Sequence, residues 1–171
     1  MTDLRTFVRD VPDFPTPGIL FRDITPLLAS PLAFQHAIHE MAQPFRKMRP
    51  QKVFGIEARG FMFGAAIARE LRIGFVPMRK SGKLPRETLK VDYGLEYGKD
   101  CLEIHKDACA PSERVLIVDD VLATGGTAGA AARLADQLGA EVVGLSFFIE
   151  LEALAGRTRL ADRNVHSVLV L

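Results

Sequence analysis

Hydrophobic residues in this chain fall into short solid runs, separated by stretches where they recur every three or four positions. The runs KVFGI (52–56), GFVPM (74–78), CLEIH (101–105), RVLIVDD (114–120), EVVGLSFFIE (141–150) and SVLVL (167–171) read as strands. VLIV is apolar at every position, as a strand covered on both faces should be. Between the runs, 31–48 carries Phe34, Ile38 and Met41 at helical spacing behind Pro31, a residue suited to a helix start. Residues 59–71 and the alanine-rich GTAGAAARLADQLGA read as two further helices, and 4–8 as the apolar face of a short first one. Two segments resist assignment. Residues 12–26 hold four prolines and a glycine, which predicts an ordered but irregular path, and 79–100 is polar and rich in Gly and Lys. A loop as long as the second is usually functional or mobile. The alternation predicts an α/β fold: a mostly parallel, twisted sheet flanked by helices, in one domain over 1–171, with ligands at the carboxyl ends of the strands.

Composition narrows the class. At 171 residues, 48% apolar and 25% charged, the chain suits a single globular domain. A net charge of +1 provides no global basic field for nucleic acid or a membrane surface. Two cysteines, Cys101 and Cys109, make no disulfide framework and point to a reducing cytoplasm. The opening MTDLRTFVRD lacks the apolar core of a secretory signal, and no apolar run approaches the ~18 residues of a membrane span.

The chemistry concentrates in VLIVDDVLATGGT (115–127). Asp119 and Asp120 fall at the carboxyl end of the buried strand, and ATGGT turns into the next helix. Gly125 and Gly126 allow backbone geometry that side chains resist and let a ligand come close. The free N–H groups of a first helical turn favour an anion, and Thr124 and Thr127 add hydroxyls. The metal-holding strand of a P-loop NTPase also ends in acid, but it requires a GxxxxGK[ST] loop, and the chain has none. GGTAGA likewise fails the dinucleotide fingerprint. Two carboxylates beside a phosphate nest must face something other than phosphate, such as hydroxyl donors or a metal. Ribose 5-phosphate has a phosphate at one end and a vicinal diol at the other.

Two further strand ends are rich in cations. IEARGF (56–61) sets Arg59 and Gly60 where a strand turns into a helix, and RKSGKLPR (79–86) brings Arg79, Lys80, Lys83 and Arg86. Each has a plain alternative, a Glu57–Arg59 salt bridge in one case and a solvated loop in the other. Converging with the phosphate turn, they would hold a polyphosphate and stabilise its departure.

The 115–127 stretch resembles the signature of the type I phosphoribosyltransferases, which bind 5-phosphoribosyl-1-pyrophosphate (PRPP). The resemblance implies that Asp119 and Asp120 meet the ribose hydroxyls and that Ala123, Thr124, Gly125, Gly126 and Thr127 cradle the 5′-phosphate. PDFPTPGILFRDITP, GIEARGFMFG, RKSGKLPRET, YGLEYGKD, LEIHKDA and FFIELEALAGRTRL follow in the order seen in the adenine-using members of that family. By the same resemblance, Glu57, Ala58, Arg59, Arg79, Lys80 and Lys83 serve the pyrophosphate; Ala58 stands where some members carry a hydroxyl. A hood over about 12–30 places Phe21 on the adenine face, main-chain groups of Leu20 and Arg22 on its polar edge, and Leu151 on the other side. Glu96 is implied as acid/base and Tyr97 as a cover over the reacting centre, both within a flexible lid over about 79–100, with Arg59 beside them in catalysis. The implied reaction joins adenine and PRPP into AMP and pyrophosphate, with Mg²⁺ held mainly through substrate oxygens rather than by a protein cage. The family also implies a homodimer. Transfer to another purine and a PRPP-sensing regulator remain open, although no basic DNA-binding module stands in residues 1–30. His36, His39 and Glu40 share a helix face and suit an ordinary amphipathic helix better than a metal site.

Overall fold

The computed structural model describes residues 3–95 and 98–171. Its centre is a seven-stranded sheet, and a separate two-stranded ribbon stands near the amino terminus. In chain order the strands are β1 (Arg9–Pro12) and β2 (Leu20–Asp23) of the ribbon, then β3 (Lys52–Ile56), β4 (Gly74–Lys80), β5 (Thr88–Leu95), β6 (Gly98–His105), β7 (Arg114–Leu122), β8 (Glu141–Glu150) and β9 (Val165–Val170). The helices are α1 (Thr25–Ala29), α2 (Pro31–Ala42), α3 (Gly60–Leu71) and α4 (Gly126–Gln137). The large sheet runs β5-β6-β4-β3-β7-β8-β9. From β4 to β9 all neighbours are parallel, while β6 joins β4 antiparallel and β5 joins β6 antiparallel.

Period-two alternation explains how the solid runs are used. Val115 and Ile117 point to the layer formed by α4, and Leu116 and Val118 to the layer formed by α2 and α3. Phe147 and Phe148 divide the same way. All six are fully buried, so β7 and β8 form the middle of a two-layered core. On α4 the face against the sheet is Ala128, Ala131, Ala132, Leu134 and Ala135, small side chains that let the helix lie close.

Three expectations change. The helix predicted over 31–48 ends at Ala42 and continues as a 3-10 segment, Gln43–Met48. Pro44 has no N–H for the Glu40 carbonyl, and His166 Nε2 sits 3.1 Å from that oxygen instead. The proline-rich stretch is more regular than predicted, since β1 and β2 pair from Arg9↔Asp23 to Pro12↔Leu20. The polar stretch 79–100, read as a loop, is largely strand. β5 pairs with β6 from Thr88↔His105 through Gly94↔Lys99. Leu89, Val91 and Tyr93 alternate along β5 and pack on the α4-side core, leaving charged residues on the other face. That alternation is the half-buried strand pattern, masked by the average polarity of the stretch.

Candidate functional site

The strand order reverses between β3 and β7. From β3 the chain moves to β4 on one side, and from β7 to β8 on the other, so the carboxyl ends of β3 and β7 flank an open crevice. Ligands settle at such a point in α/β sheets. The segments meeting there are 57–60, 79–83 and 119–127.

Glu57, just past β3, organises the basic side. Its carboxylate accepts from Lys83 Nζ at 2.6 Å, Arg79 at 3.2 Å and the Lys80 N–H at 2.9 Å. Burial would raise its pKa, but the hydrogen bonds from Lys83, Lys80 and Arg79 outweigh that and hold it at about 2. The Glu57–Ala58 peptide is cis. Lys80 turns its side chain to Asp100, 3.5 Å away on β6. Glu103 supports the same loop from below: almost wholly buried, it accepts from Ser81 Oγ at 2.8 Å, the Gly82 N–H at 3.2 Å and Lys90 Nζ at 2.6 Å. Nothing local in LEIHKDA marked Glu103 as an anchor; its burial depends on the turn that folds over it.

Arg59 begins α3 and reaches across the crevice. Its guanidinium pairs with the Asp120 carboxylate and lies over the Phe21 ring, 4.9 Å from the centroid. The Phe14 ring meets Phe21 edge-on at 5.1 Å. Gly60 lets this happen: a Cβ there would stand 2.6 Å from Asp119 Oδ1 and 3.0 Å from the Val118 carbonyl oxygen. The first turn of α3 therefore sits directly on the end of β7.

Asp119 and Asp120 lie within β7, which extends two residues past them to Leu122. Asp119 Oδ1 accepts the Asp120 N–H at 2.9 Å. Burial pushes the Asp119 carboxyl well above the usual carboxylate range, and the neighbouring Asp120 charge pushes it further. Two adjacent carboxylates, of which Asp120 alone pairs with Arg59, leave the pair suited to donors brought by a ligand.

Residues 123–127 wrap a hollow of about 70 Å³ that Asp119 also borders. Gly125, with φ +79°, caps α4 and meets Gly156 backbone to backbone. A Cβ on Gly125 would lie 2.4 Å from the Gly156 oxygen, and one on Gly156 would lie 2.1 Å from the Ala123 oxygen. Sequence reasoning left Gly156 without a role, although it stands in the quoted LAGR stretch. Above the hollow opens a cavity of about 340 Å³, with Tyr93 and Asp100 of the β5–β6 hairpin on one wall and Thr124, Gly126, Thr127 and Arg159 on the other.

The expected base-binding residues are partly assembled. Phe21 is joined to the crevice through Arg59, and Arg22 pairs with Asp10 across the ribbon. Among the described residues the ribbon has two strands, so the outer edge of β2 (Leu20–Asp23) has no strand neighbour. Leu151 lies just past the end of β8, where its N–H donates to the Leu122 carbonyl at 2.9 Å. Glu96 and Tyr97 lie outside the described residues. Among the described residues no group of three or more His, Cys, Asp and Glu is placed to hold a metal ion, Cys101 and Cys109 are free thiols, and no helix is long and apolar enough to cross a membrane.

Comparison with known proteins agrees with this geometry. The family model described as "Phosphoribosyl transferase domain" matches residues 23–168. An adenine phosphoribosyltransferase from Methylococcus capsulatus is 56% identical over 169 residues, 99% of each chain. The crystal structure of adenine phosphoribosyltransferase from Rhodothermus marinus superposes with a TM-score of 0.94 at 54% identity, covering 98% of this chain and 96% of that one. The Saccharomyces cerevisiae enzyme, crystallised with adenine and an imino-altritol bisphosphate, superposes at 0.92 with 41% identity, covering 97% of this chain and 96% of that one.

Proposed function

The chain belongs to the phosphoribosyl transferase family, and from that premise we propose that it moves the 5-phosphoribosyl group of PRPP onto N9 of adenine, releasing AMP and pyrophosphate. The observation that carries this is the meeting, at one strand reversal, of an anion hollow, an acidic pair and a basic cluster, each with a match to one part of PRPP. The full-length likeness to adenine phosphoribosyltransferases supports adenine as the acceptor.

In this reading the 5′-phosphate takes the N–H groups and hydroxyls of Ala123 to Thr127, at the start of α4 where the helix dipole favours an anion. The ribose diol donates to Asp119 and Asp120. Pyrophosphate takes Arg59, Arg79, Lys80 and Lys83, beside Glu57 and Ala58. PRPP brings an anion for Arg59 and hydroxyl donors for Asp120, so both members of their pair are re-paired rather than stranded. Phe21, released from the guanidinium, offers its face to adenine, with Leu151 opposite. The unpaired edge of β2 presents main-chain groups of Leu20 and Arg22 to the polar rim of the base. A 6-oxo purine would set an acceptor against carbonyls there, and each unpaired buried group costs about 1–3 kcal/mol.

N9 then attacks C1′ while the bond from C1′ to the pyrophosphate oxygen breaks, the proton lost from the purine passes to the acid/base, and the basic cluster takes up the charge on the leaving group. Glu96 as the acid/base near the purine and Tyr97 as the cover belong to the same proposal. Asp119 and Asp120 are the described carboxylates suited to Mg²⁺, a cation that keeps most of its shell in water and substrate oxygens. When bound, it would neutralise part of the pyrophosphate charge. Homodimeric assembly and a cytoplasmic location complete the proposal.

The test mixes purified protein with Mg²⁺, PRPP and, in turn, adenine, hypoxanthine, guanine and xanthine. AMP from adenine alone is the expected outcome. Product from another base would overturn the assignment of the hood, and no product with any base would overturn transferase activity.

A further inference from the structure

Resting on the proposed function, we propose that Arg159 is a ligand of the substrate's 5′-phosphate, supplying a fixed positive charge to a phosphate cradle whose own lining carries none. The hollow formed by residues 119 and 121–128 is lined by carboxylate, apolar, glycine and threonine residues, and none of these is basic. A phosphate dianion there would meet N–H dipoles and hydroxyls, with the Asp119 carboxyl on the border of the hollow. The cavity above the hollow includes Arg159, beside Thr124, Gly126 and Thr127. Arg159 Nη1 and Thr124 Oγ1 both lie 3.8 Å from the position a Gly126 Cβ would take, so the guanidinium and the threonine hydroxyl flank the same face of the turn.

The placement of Arg159 is set by its neighbours. Three residues earlier, Gly156 packs on the Ala123 oxygen and the Gly125 nitrogen so closely that no Cβ fits. One residue later, Leu160 is buried in the α4-side core. The short turn Gly156–Leu160 is thereby pinned to the cradle at one end and to the core at the other. Its neighbouring arginines are committed elsewhere, Arg157 to Glu150 and Arg163 to Asp136 and Asp162. Among the described residues Arg159 has no ion-pair partner. A planar guanidinium suits a phosphate well, since it donates to two oxygens at once, and charge-assisted bonds of this kind are the strong ones.

Binding of AMP and of adenosine isolates the phosphate contribution, since the two share every other contact. Calorimetry on wild type, Arg159→Gln and Arg159→Lys is expected to show AMP weakened about tenfold or more in R159Q, adenosine within twofold of wild type, and part of the loss recovered in R159K, which keeps the charge but not the two-pronged geometry. The KM for PRPP is expected to rise by the same factor with kcat within twofold, as for an interaction made equally in ground and transition states. Arg159 is exposed, so the variants should fold; Arg159→Met, with matching melting temperature, serves as a second reading. Unchanged AMP affinity in R159Q overturns the inference, and so does an equal loss for AMP and adenosine, which would mean a merely structural role. If wild type binds neither AMP nor PRPP, the proposed function itself fails and this inference falls with it.

Discussion

Arg59 and Asp120 form an ion pair across the crevice between β3 and β7, and the pair brings the base-stacking candidate Phe21 and the acidic end of β7 to one guanidinium. Removing one partner of such a pair leaves the other without compensation. Asp120→Asn is expected to lower kcat/KM for PRPP by about 100-fold, the size of one lost charge-assisted contact, roughly 1.5–3 kcal/mol. Steady-state kinetics checks it. In the double variant with Arg59→Gln the losses should not add, because each single change already breaks the same pair. A D120N enzyme within threefold of wild type would rule out the diol role.

Gly156→Ala probes the cradle from outside. Its Cβ would stand 2.1 Å from the Ala123 oxygen, so the turn must move, at a cost of about 1–3 kcal/mol. The expected signature is a raised KM for PRPP, tenfold or more, with the KM for adenine little changed. Wild-type kinetics in G156A would show that the cradle tolerates displacement.

Glu57 gives a pH dependence with a definite sign. Its carboxyl is held at about 2 against an ordinary 4.5, so the stability it contributes is complete above pH 4.5 and disappears as the pH falls towards 2. Arg79 and Lys83 stay partly in solvent, and screening reduces the gain to about 1 kcal/mol. Urea melts of Glu57→Gln and wild type should therefore differ at pH 7 and converge near pH 2–3. A gap that persists in acid would point to packing instead of charge.

Asp119 works in the opposite direction. Its carboxyl is raised by burial and by the Asp120 charge, so ionising it costs stability as the pH rises above the unfolded value. Asp119→Asn is expected to melt a few degrees higher at pH 7, on the scale of about 2–4 °C per kcal/mol for a chain of this size, with the gain shrinking at pH 4. PRPP turnover should fall in the same variant. Loss of stability in D119N at pH 7 would contradict a cost of ionising this carboxylate in its buried site.

Phe21→Ala removes the face expected to stack on the base. Stacking of this kind is worth about 1–3 kcal/mol, which corresponds to a KM for adenine raised roughly 5- to 150-fold with the KM for PRPP nearly constant. Equal effects on both substrates would mean that Phe21 mainly positions Arg59.

Local pattern carried the central sheet. VLIV announces a strand buried on both faces because each residue in it is apolar, and the two layers confirm it residue by residue. ATGGT predicts a turn into a helix because glycine and threonine act over a few neighbouring bonds, and the structure caps α4 at Gly125. The position of Asp119 and Asp120 near the carboxyl end of β7 follows from the same local reasoning. The helix end at Ala42 was legible too, in Pro44, although the apolar spacing argued for continuing.

Tertiary structure alone decided what met what. The stretch 79–100 is polar on average, and it became a hairpin because β6 and the α4-side core were there to receive Leu89, Val91 and Tyr93. Glu103 is buried because a turn some twenty residues earlier in the chain supplies Ser81 and Gly82 to pair with it. Gly156 needs its missing side chain because it packs on Ala123 and Gly125, and Arg159 faces the cradle for the same reason. A sequence determines which faces must be covered and where the backbone can turn, since those depend on neighbouring residues. Which distant segment provides the cover depends on the packing of the whole chain, and in this protein that packing set Arg59 against Asp120 and Gly156 against the turn at Ala123–Gly125.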